Sequence, residues 1–146
     1  MDHQTMELRP IGMVKSPIKG RVAGADQQRM TGTRVELIIF PQYREGLEGL
    51  ENETHLILVT WMHQAERDLL KVHPRADHTR PKRGVFSTRS PDRPNPLALY
   101  VVRILGFNQH GVTVEGIDAI DGTPLVDIKP FRPELDIPHH ASSELK

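Results

Sequence analysis

The polar residues best suited to chemistry lie in one proline-rich segment, GVFSTRSPDRPNP, which runs from Gly84 to Pro96. Its prolines fix the torsion angle φ and remove backbone N–H donors, so they exclude a continuous helix or a central strand. We therefore expect an extended, stiff loop that presents Arg89, Ser90, Arg93 and Asn95. A binding site needs this kind of preorganisation. A solvated turn with a structural arginine–aspartate pair explains the same residues equally well.

Two further sets of polar residues follow apolar runs. His63 and Gln64 come directly after HLILVTWM, the most apolar run of the chain. The other set surrounds an Asp-Gly turn and comprises Asp121, Thr123, Asp127 and Lys129. Taken singly, each has a structural explanation as a strand end, a tight turn or a surface ion pair. Residue types and spacing alone predict polar loop clusters without specifying a reaction.

Several common kinds of site have no support in the sequence. The eight histidines show no metal-ligand spacing, no HExxH occurs and there is no cysteine, so we predict no metal site. A GxGxxG fingerprint, a Walker loop and a GxSxG elbow are also missing. The usual forms of dinucleotide binding, P-loop chemistry and serine hydrolysis are therefore not indicated.

Charge is balanced over the whole chain but not along it. The formal net charge is zero, yet Arg67 to Arg93 contains eight basic residues against three acidic ones. This local excess predicts one face suited to phosphates. A charged, solvated loop without a partner is the alternative interpretation.

The elements that must position these residues are mainly short strands. Apolar, β-branched runs of strand length cover residues 7–14, 33–40, 55–62, 97–107, 112–117 and 124–129. A short helix is expected after Pro41, ending near Gly49, and a further helical turn is possible in Gln64 to Lys71. We predict an all-β or β-rich fold, most simply a small antiparallel β-barrel with one or two short helices, since closure avoids exposed edges.

Length and composition predict a single domain over residues 1–146, with a core at about 7–134, a tail at 135–146 and no second domain. The N-terminus has no signal-peptide pattern, and no run of about 18 apolar residues occurs. We expect a soluble, cytoplasmic protein.

Four blocks of the sequence together resemble one family. RPIGMVKSP, LEGLENETHLILVTWMHQA, GVFSTRSPDRPNPLAL and DGTPLVDIKPF occur in this order, and the resemblance runs from about Leu8 to Pro133. The chain resembles the TsaA-like (TrmO, YaeB) family of tRNA methyltransferases. The resemblance implies a β-barrel that works as a homodimer, with the site near the subunit interface, and that binds S-adenosylmethionine without a Rossmann fold. It also implies methyl transfer to N6 of threonylcarbamoyladenosine at position 37, in the anticodon loop of tRNA.

The resemblance also implies site residues. The expected cofactor contacts are Asp26, Gln27, Gln28, His63, Gln64, Arg89, Leu97, Leu99, Asp121, Gly122, Thr123 and Pro124. The expected substrate contacts are Arg80, Lys82, Arg83, Ser90, Arg93, Asn95 and Lys129. A general base would assist deprotonation of the acceptor nitrogen, and either His63 or Asp127 is a candidate.

Two other functions remain open at this point. One is a methyltransferase of the same fold that acts on a small molecule or on another RNA. The other is a noncatalytic barrel that binds S-adenosylmethionine or RNA.

Overall fold

Buried and exposed side chains alternate along the strands, as expected when one face of a sheet is turned inward. The computed structural model describes residues 4–20 and 33–139. Its strands are β1 Gly12–Lys15, β2 Arg34–Ile39, β3 His55–Trp61, β4 Lys71–Val72, β5 Arg83–Gly84, β6 Leu97–Asn108, β7 Gly111–Glu115 and β8 Pro124–Pro130.

Six of these strands close into an antiparallel barrel in the order β1-β2-β7-β6-β3-β8. The barrel closes between its first and last strands, where Gly12 lies opposite Leu125. The remaining two strands, β4 and β5, pair in a separate ribbon. The predicted small antiparallel barrel is thus confirmed.

The barrel interior is filled by aliphatic side chains from all six strands and from the segment after β7. The largest of the fully buried side chains are Leu37, Ile39, Leu56, Leu58, Ile117 and Leu125. Burial of each such side chain contributes about 1.5–3 kcal/mol. This core fixes the outward direction of the alternate residues, some of which line the site described below.

Gly111 permits the close approach of β7 to β2. A Cβ atom at this position would lie 2.0 Å from the carbonyl oxygen of Leu37. In the turn that joins β6 to β7, the side-chain oxygen of Asn108 accepts hydrogen bonds from the backbone N–H groups of His110 and Gly111.

The helices of the structure are all short, and the one that was predicted after Pro41 is shorter than expected. Its 3₁₀ segments are Pro41–Leu47, Leu50–Asn52, Pro74–Ala76 and Val85–Ser87, and the α-helix α1 spans Pro133–Asp136. The helix expected from Pro41 to near Gly49 is instead a 3₁₀ segment that ends at Leu47, and Gly49, with φ 98°, lies just before the next 3₁₀ segment. Residues 64–70, considered for a helical turn, contain only turns and bends. No helix within the described ranges is long and apolar enough to cross a membrane.

Candidate functional site

A cavity of about 690 Å³ opens beside the first half of β6. Its walls are the segment that follows β3, the proline-rich loop before β6, and the segment between β7 and β8. Val59, Leu97, Leu99 and Val101 supply apolar lining, while His63, Gln64, Thr88, Arg89, Arg93, Asn95, Tyr100, Asp118 and Thr123 supply polar groups. This volume and this mixture of groups are typical of a site for a small organic molecule.

Arg93 holds the proline-rich loop in shape. Its guanidinium donates hydrogen bonds to the carbonyl oxygens of Val85 at 2.8 Å, Thr88 at 3.0 Å and Ser90 at 2.9 Å. The planar, five-donor guanidinium suits such a set of acceptors. Ser90 supports the same loop, because its hydroxyl oxygen accepts a hydrogen bond from the backbone N–H of Asp92.

Contacts from the segment after β3 join it to the proline-rich loop. The backbone N–H of Glu66 donates to the carboxylate of Asp92 at 3.0 Å, and Arg67 Nε donates to the carbonyl oxygen of Pro94 at 2.7 Å. The Arg67 guanidinium also lies 5.0 Å from the ring centre of Trp61, a cation–π contact. The two segments therefore form one continuous wall of the cavity.

Three predicted cofactor contacts, His63, Gln64 and Arg89, line the cavity with exposed side chains. Within residues 4–20 and 33–139, the side chains of these residues have no hydrogen-bond or ion-pair partner. They are available to a ligand, unlike Arg93. Leu97 and Leu99, also predicted, line the cavity from the outer face of β6.

The residues of the Asp-Gly turn before β8 face two different parts of the molecule. Asp121 faces the end of β1, where its carboxylate accepts hydrogen bonds from the backbone N–H of Ser16 at 2.9 Å and from Lys19 Nζ at 3.0 Å. The Ser16 hydrogen bond and, second, Lys19 hold the pKa of Asp121 below its usual value. Thr123, buried, lines the cavity, whereas Asp121, Gly122 and Pro124 are not among its lining residues.

Tyr100 and Asp118 form a hydrogen-bonded pair at the cavity wall. Burial, with the Asp118 charge as a smaller cause, raises the pKa of Tyr100 beyond its usual range, so its hydroxyl stays protonated. Burial also raises the pKa of Asp118, and the hydrogen bond from Tyr100 partly offsets that rise. Asp118 is the one carboxylate among the described residues that line the cavity.

The predicted catalytic candidates are placed differently. His63 lines the cavity, but Asp127 does not. Asp127 lies on β8 opposite Val59 and forms an ion pair with Lys129 at 3.1 Å. Lys129 in turn lies opposite Ile57, so this pair borders the outer face of β3.

The predicted substrate contacts are mostly away from the cavity. Asn95 and Arg93 line it, but Arg80, Lys82, Arg83, Ser90 and Lys129 do not. Arg80 pairs with Asp77 at 3.7 Å, and Lys82 and Arg83 are exposed on or beside the β4–β5 ribbon. Asp26, Gln27 and Gln28 lie outside the described residues.

Tyr100, Asp118, Thr88 and Phe86 also line the cavity but are not among the predicted site residues. Tyr100 lies within an apolar strand pattern, and Asp118 looks like an ordinary polar residue after a strand. One usable signal existed, since Asp118 stands between buried Ile117 and buried Ala119. Among the described residues, no three histidine, aspartate or glutamate side chains come together as a metal site.

Comparison with known proteins gives consistent matches. The sequence model of the tRNA-methyltransferase O N-terminal domain (TrmO_N) matches residues 13–137. A probable S-adenosyl-L-methionine-binding protein of Methanothermobacter thermautotrophicus is 43% identical over 93% of this chain and 97% of its own length. An S-adenosyl-L-methionine-binding protein of Archaeoglobus fulgidus is 45% identical over 90% of this chain and 93% of its own length.

Solved structures agree with these sequence matches. A crystal structure of TrmO superposes with a TM-score of 0.76 at 33% identity, covering 100% of this chain and 64% of that one. Another, of TrmO from Pseudomonas aeruginosa, gives a TM-score of 0.75 at 32% identity and covers 98% of this chain and 61% of that one. This chain therefore spans somewhat less than two thirds of the TrmO chains that it matches.

Proposed function

Since the chain belongs to the family of the tRNA-methyltransferase O N-terminal domain, we propose that it is an S-adenosylmethionine-dependent methyltransferase that modifies tRNA. The proposed acceptor is N6 of threonylcarbamoyladenosine at position 37, and the proposed compartment is the cytoplasm. The observation that carries this proposal is the cavity at the family's proline-rich loop, where His63, Gln64 and Arg89 are left without partners in the described part of the chain.

The cavity fits a nucleoside-sized ligand. Its volume of about 690 Å³ lies within the usual range for small-molecule sites. Leu97, Leu99 and Val101 would contact the apolar surface of S-adenosylmethionine, and the guanidinium of Arg89 would pair with its carboxylate, as guanidinium groups do with oxyanions. We further propose that Asp26, Gln27 and Gln28 contribute from outside the described residues.

Methyl transfer from S-adenosylmethionine requires little chemical activation by the protein. When bound, S-adenosylmethionine supplies an already activated methyl group. The protein's part is then to hold the acceptor nitrogen in line, to exclude water and to accept a proton. The stiff loop held by Arg93 provides a wall of fixed shape for that positioning.

We propose that the basic ribbon positions the RNA. Lys71, Arg75, Arg80, Lys82 and Arg83 are exposed on β4, β5 and their connection. This ribbon leads directly into the cavity wall, because Val85 N donates to the carbonyl oxygen of Leu70 at 2.9 Å and Phe86 lines the cavity. Lysine and arginine contacts to phosphates supply most of the sequence-independent affinity for nucleic acid. An anticodon-loop base, splayed out of its stack, would then reach the cavity.

We also propose that two copies associate through the outer face of β3 and β6. Ile57, Val59 and Trp61 stand opposite Val101, Leu99 and Leu97 on this face. Leu99 is 55% exposed and Val101 is 53% exposed, although both are large and apolar. Such a patch usually marks an interface. Because Val59, Leu97, Leu99 and Val101 also line the cavity, a second copy seated here would border the site.

The test of the proposed function uses tRNA that carries unmethylated threonylcarbamoyladenosine. Purified protein and S-adenosylmethionine are added, and the nucleosides are separated and weighed by mass spectrometry. Methylated threonylcarbamoyladenosine is the expected product, and calorimetry should show binding of S-adenosylmethionine. Binding without methylation of this tRNA would leave another acceptor or a noncatalytic binding role. Absence of binding would reject the methyltransferase altogether.

The test of association is the sedimentation of the wild type and of Leu99→Glu. The wild type should sediment at twice its 16.6 kDa mass, and Leu99→Glu should sediment as a monomer because the charge disrupts the apolar face. Phe107→Glu, on the same strand but beyond the patch, is the matched control and should stay dimeric. A monomeric wild type would contradict the proposal.

A further inference from the structure

Five titratable side chains line the cavity within the described residues, and they differ in their ability to accept a proton. They are His63, Arg89, Arg93, Tyr100 and Asp118. Arginine stays protonated in proteins, and burial keeps Tyr100 protonated by raising its pKa. Of these five, the imidazole of His63 and the carboxylate of Asp118 are the groups of a type that accepts a proton from a ligand.

Geometry favours Asp118 over His63. The His63 side chain is exposed, and in residues 4–20 and 33–139 it has no hydrogen-bond partner that would set the orientation of its ring. Asp118 is half-buried at the cavity wall, and its carboxylate accepts a hydrogen bond from the Tyr100 hydroxyl. A carboxylate accepts about four hydrogen bonds, so capacity remains for an N–H group of a ligand. A base held in this way needs little reorganisation when the ligand arrives.

The electrostatic environment also suits a base. Burial raises the pKa of the Asp118 carboxyl, which makes its carboxylate a stronger base than that of an exposed aspartate. The Tyr100 hydrogen bond acts against that rise and retains the charged form. Asp127, the other carboxylate considered as a base, forms an ion pair with Lys129 and lies outside the cavity lining.

We propose that Asp118 accepts the proton of the acceptor nitrogen during methyl transfer and that Tyr100 positions its carboxylate. The inference rests on the proposed function. The lone pair of the acceptor nitrogen forms the new N–C bond while the S–C bond breaks and its electron pair stays on sulfur. The N–H proton passes to the Asp118 carboxylate. The products are methylated threonylcarbamoyladenosine, S-adenosylhomocysteine and a protonated carboxyl, which then releases its proton to water.

The experiment measures single-turnover methylation of threonylcarbamoyladenosine-containing tRNA and, separately, the affinity for S-adenosylmethionine by calorimetry. Asp118→Asn keeps an oxygen that accepts from Tyr100, so the pocket should keep its shape. It should bind S-adenosylmethionine within a few-fold of wild type and methylate about 100-fold or more slowly, within the usual contribution of a general base. Asp118→Glu restores a carboxylate and should be at least about tenfold faster than Asp118→Asn. Asp68→Asn, which removes an exposed carboxylate outside the cavity lining, is the control and should match wild type.

Tyr100→Phe tests the positioning role through the pH profile. Loss of the hydrogen bond removes an influence that lowers the pKa of Asp118, so the acid limb of the rate profile should move to higher pH. A slower Tyr100→Phe with an unmoved limb would overturn the role of Tyr100.

The remaining outcomes are decisive. A wild-type rate in Asp118→Asn, or an Asp118→Glu no faster than Asp118→Asn, would overturn the role of Asp118. So would loss of S-adenosylmethionine binding in Asp118→Asn, since Asp118 would then be a binding group. A wild-type protein that binds S-adenosylmethionine but methylates no threonylcarbamoyladenosine would overturn the proposed acceptor, and the inference with it.

Discussion

At the scale of single residues, two arginines of the same loop differ in what their guanidinium groups contact. Arg93 binds three backbone carbonyl oxygens, whereas Arg89 faces the cavity and has no partner within the described residues. A hydrogen bond made by a charged group contributes about 1.5–3 kcal/mol, whether to folding or to binding. The same side-chain type should therefore stabilise the fold at one position and bind ligand at the other.

Paired substitutions test this difference. Arg89→Ala should weaken S-adenosylmethionine binding by about 10-fold or more with an unchanged melting temperature, because it removes a charged donor from the cavity. Arg93→Lys should lower the melting temperature by several degrees, since an ammonium does not reproduce the planar hydrogen-bond geometry. Calorimetry measures both quantities. A lower melting temperature in Arg89→Ala with unchanged binding of S-adenosylmethionine, together with an unchanged melting temperature in Arg93→Lys, would contradict these roles.

Asp121 gives a prediction about acid stability. Its folded-state pKa lies below the ordinary value of 3.8, so its stabilising charge is fully present above that pH and is lost as the pH falls through the folded pKa. Asp121→Asn keeps an acceptor for Ser16 but loses the charge toward Lys19. Wild type should be more stable than the variant at pH 7, and the difference should shrink in acid. Urea unfolding at several pH values measures it; a constant difference would reject the role of the charge.

At the scale of elements, β3 carries fully buried aliphatic side chains beside a buried hydroxyl that lacks a hydrogen bond. Leu58 is fully buried, and the hydroxyl of Thr60 is buried without a hydrogen-bond partner in the described part of the chain. Thr60 lies where the β3–β8 pairing shifts register, after Val59. A buried, unpaired hydroxyl costs stability.

Thr60→Val should therefore leave the free energy of unfolding unchanged or raise it by about 1 kcal/mol, because the hydroxyl makes no compensating bond. Leu58→Ala, on the same strand, should lower it by about 2–5 kcal/mol by leaving a cavity. Urea unfolding compares the two variants with wild type. A clear loss of stability in Thr60→Val would show that its hydroxyl is bonded in solution.

At the scale of the whole molecule, the formal net charge is zero, but the basic and acidic side chains are unevenly distributed. The excess of basic residues in Arg67 to Arg93 is gathered on and around the β4–β5 ribbon, next to the cavity. The ribbon connection includes Arg75 and Ala76 with positive φ values of 54° and 57°. A non-glycine residue in this region is uncommon, which indicates that neighbouring groups determine the path of the ribbon.

Salt dependence tests this surface. In tRNA binding by filter assay between about 50 and 200 mM salt, the double variant Lys82→Glu and Arg83→Glu should bind more weakly. Its slope of log affinity against log salt should be shallower by about 1 for each phosphate that the variant no longer binds. Arg34→Glu, on β2 away from the cavity lining, is the control and should keep the wild-type slope. Equal slopes in all the proteins would remove the ribbon from the RNA interface.

The strands were predictable because their runs of Val, Ile and Leu are long enough to show a pattern, as in His55–Trp61 and Leu97–Asn108. The β4–β5 ribbon was not, since strands of two residues have no periodicity. The helix expected after Pro41 became a 3₁₀ segment, because two glycines interrupt the expected range and only two of its side chains, Tyr43 and Leu47, pack against the core.

The site was predictable only in part for a similar reason. His63, Gln64, Arg89, Leu97, Leu99 and Thr123 stand in blocks that resemble a family, and all of them line the cavity. Tyr100 lies on β6 and Asp118 in the segment after β7, so the two come together only because β7 pairs with β6. Likewise, nothing local indicates that the Asp121 carboxylate is bound by Ser16 and Lys19.

The closure between β1 and β8 has a consequence for how the chain reaches its native state. During synthesis, β1 and β2 emerge first and can pair with each other, but their outer partners β8 and β7 follow much later. Until β7 and then β8 pair with it, this hairpin presents open edges, which are sites for aggregation. Such distant pairing is characteristic of barrels that fold in milliseconds to seconds. Expression at reduced temperature, or with chaperones that cover nascent strands, should therefore raise the yield of the native barrel.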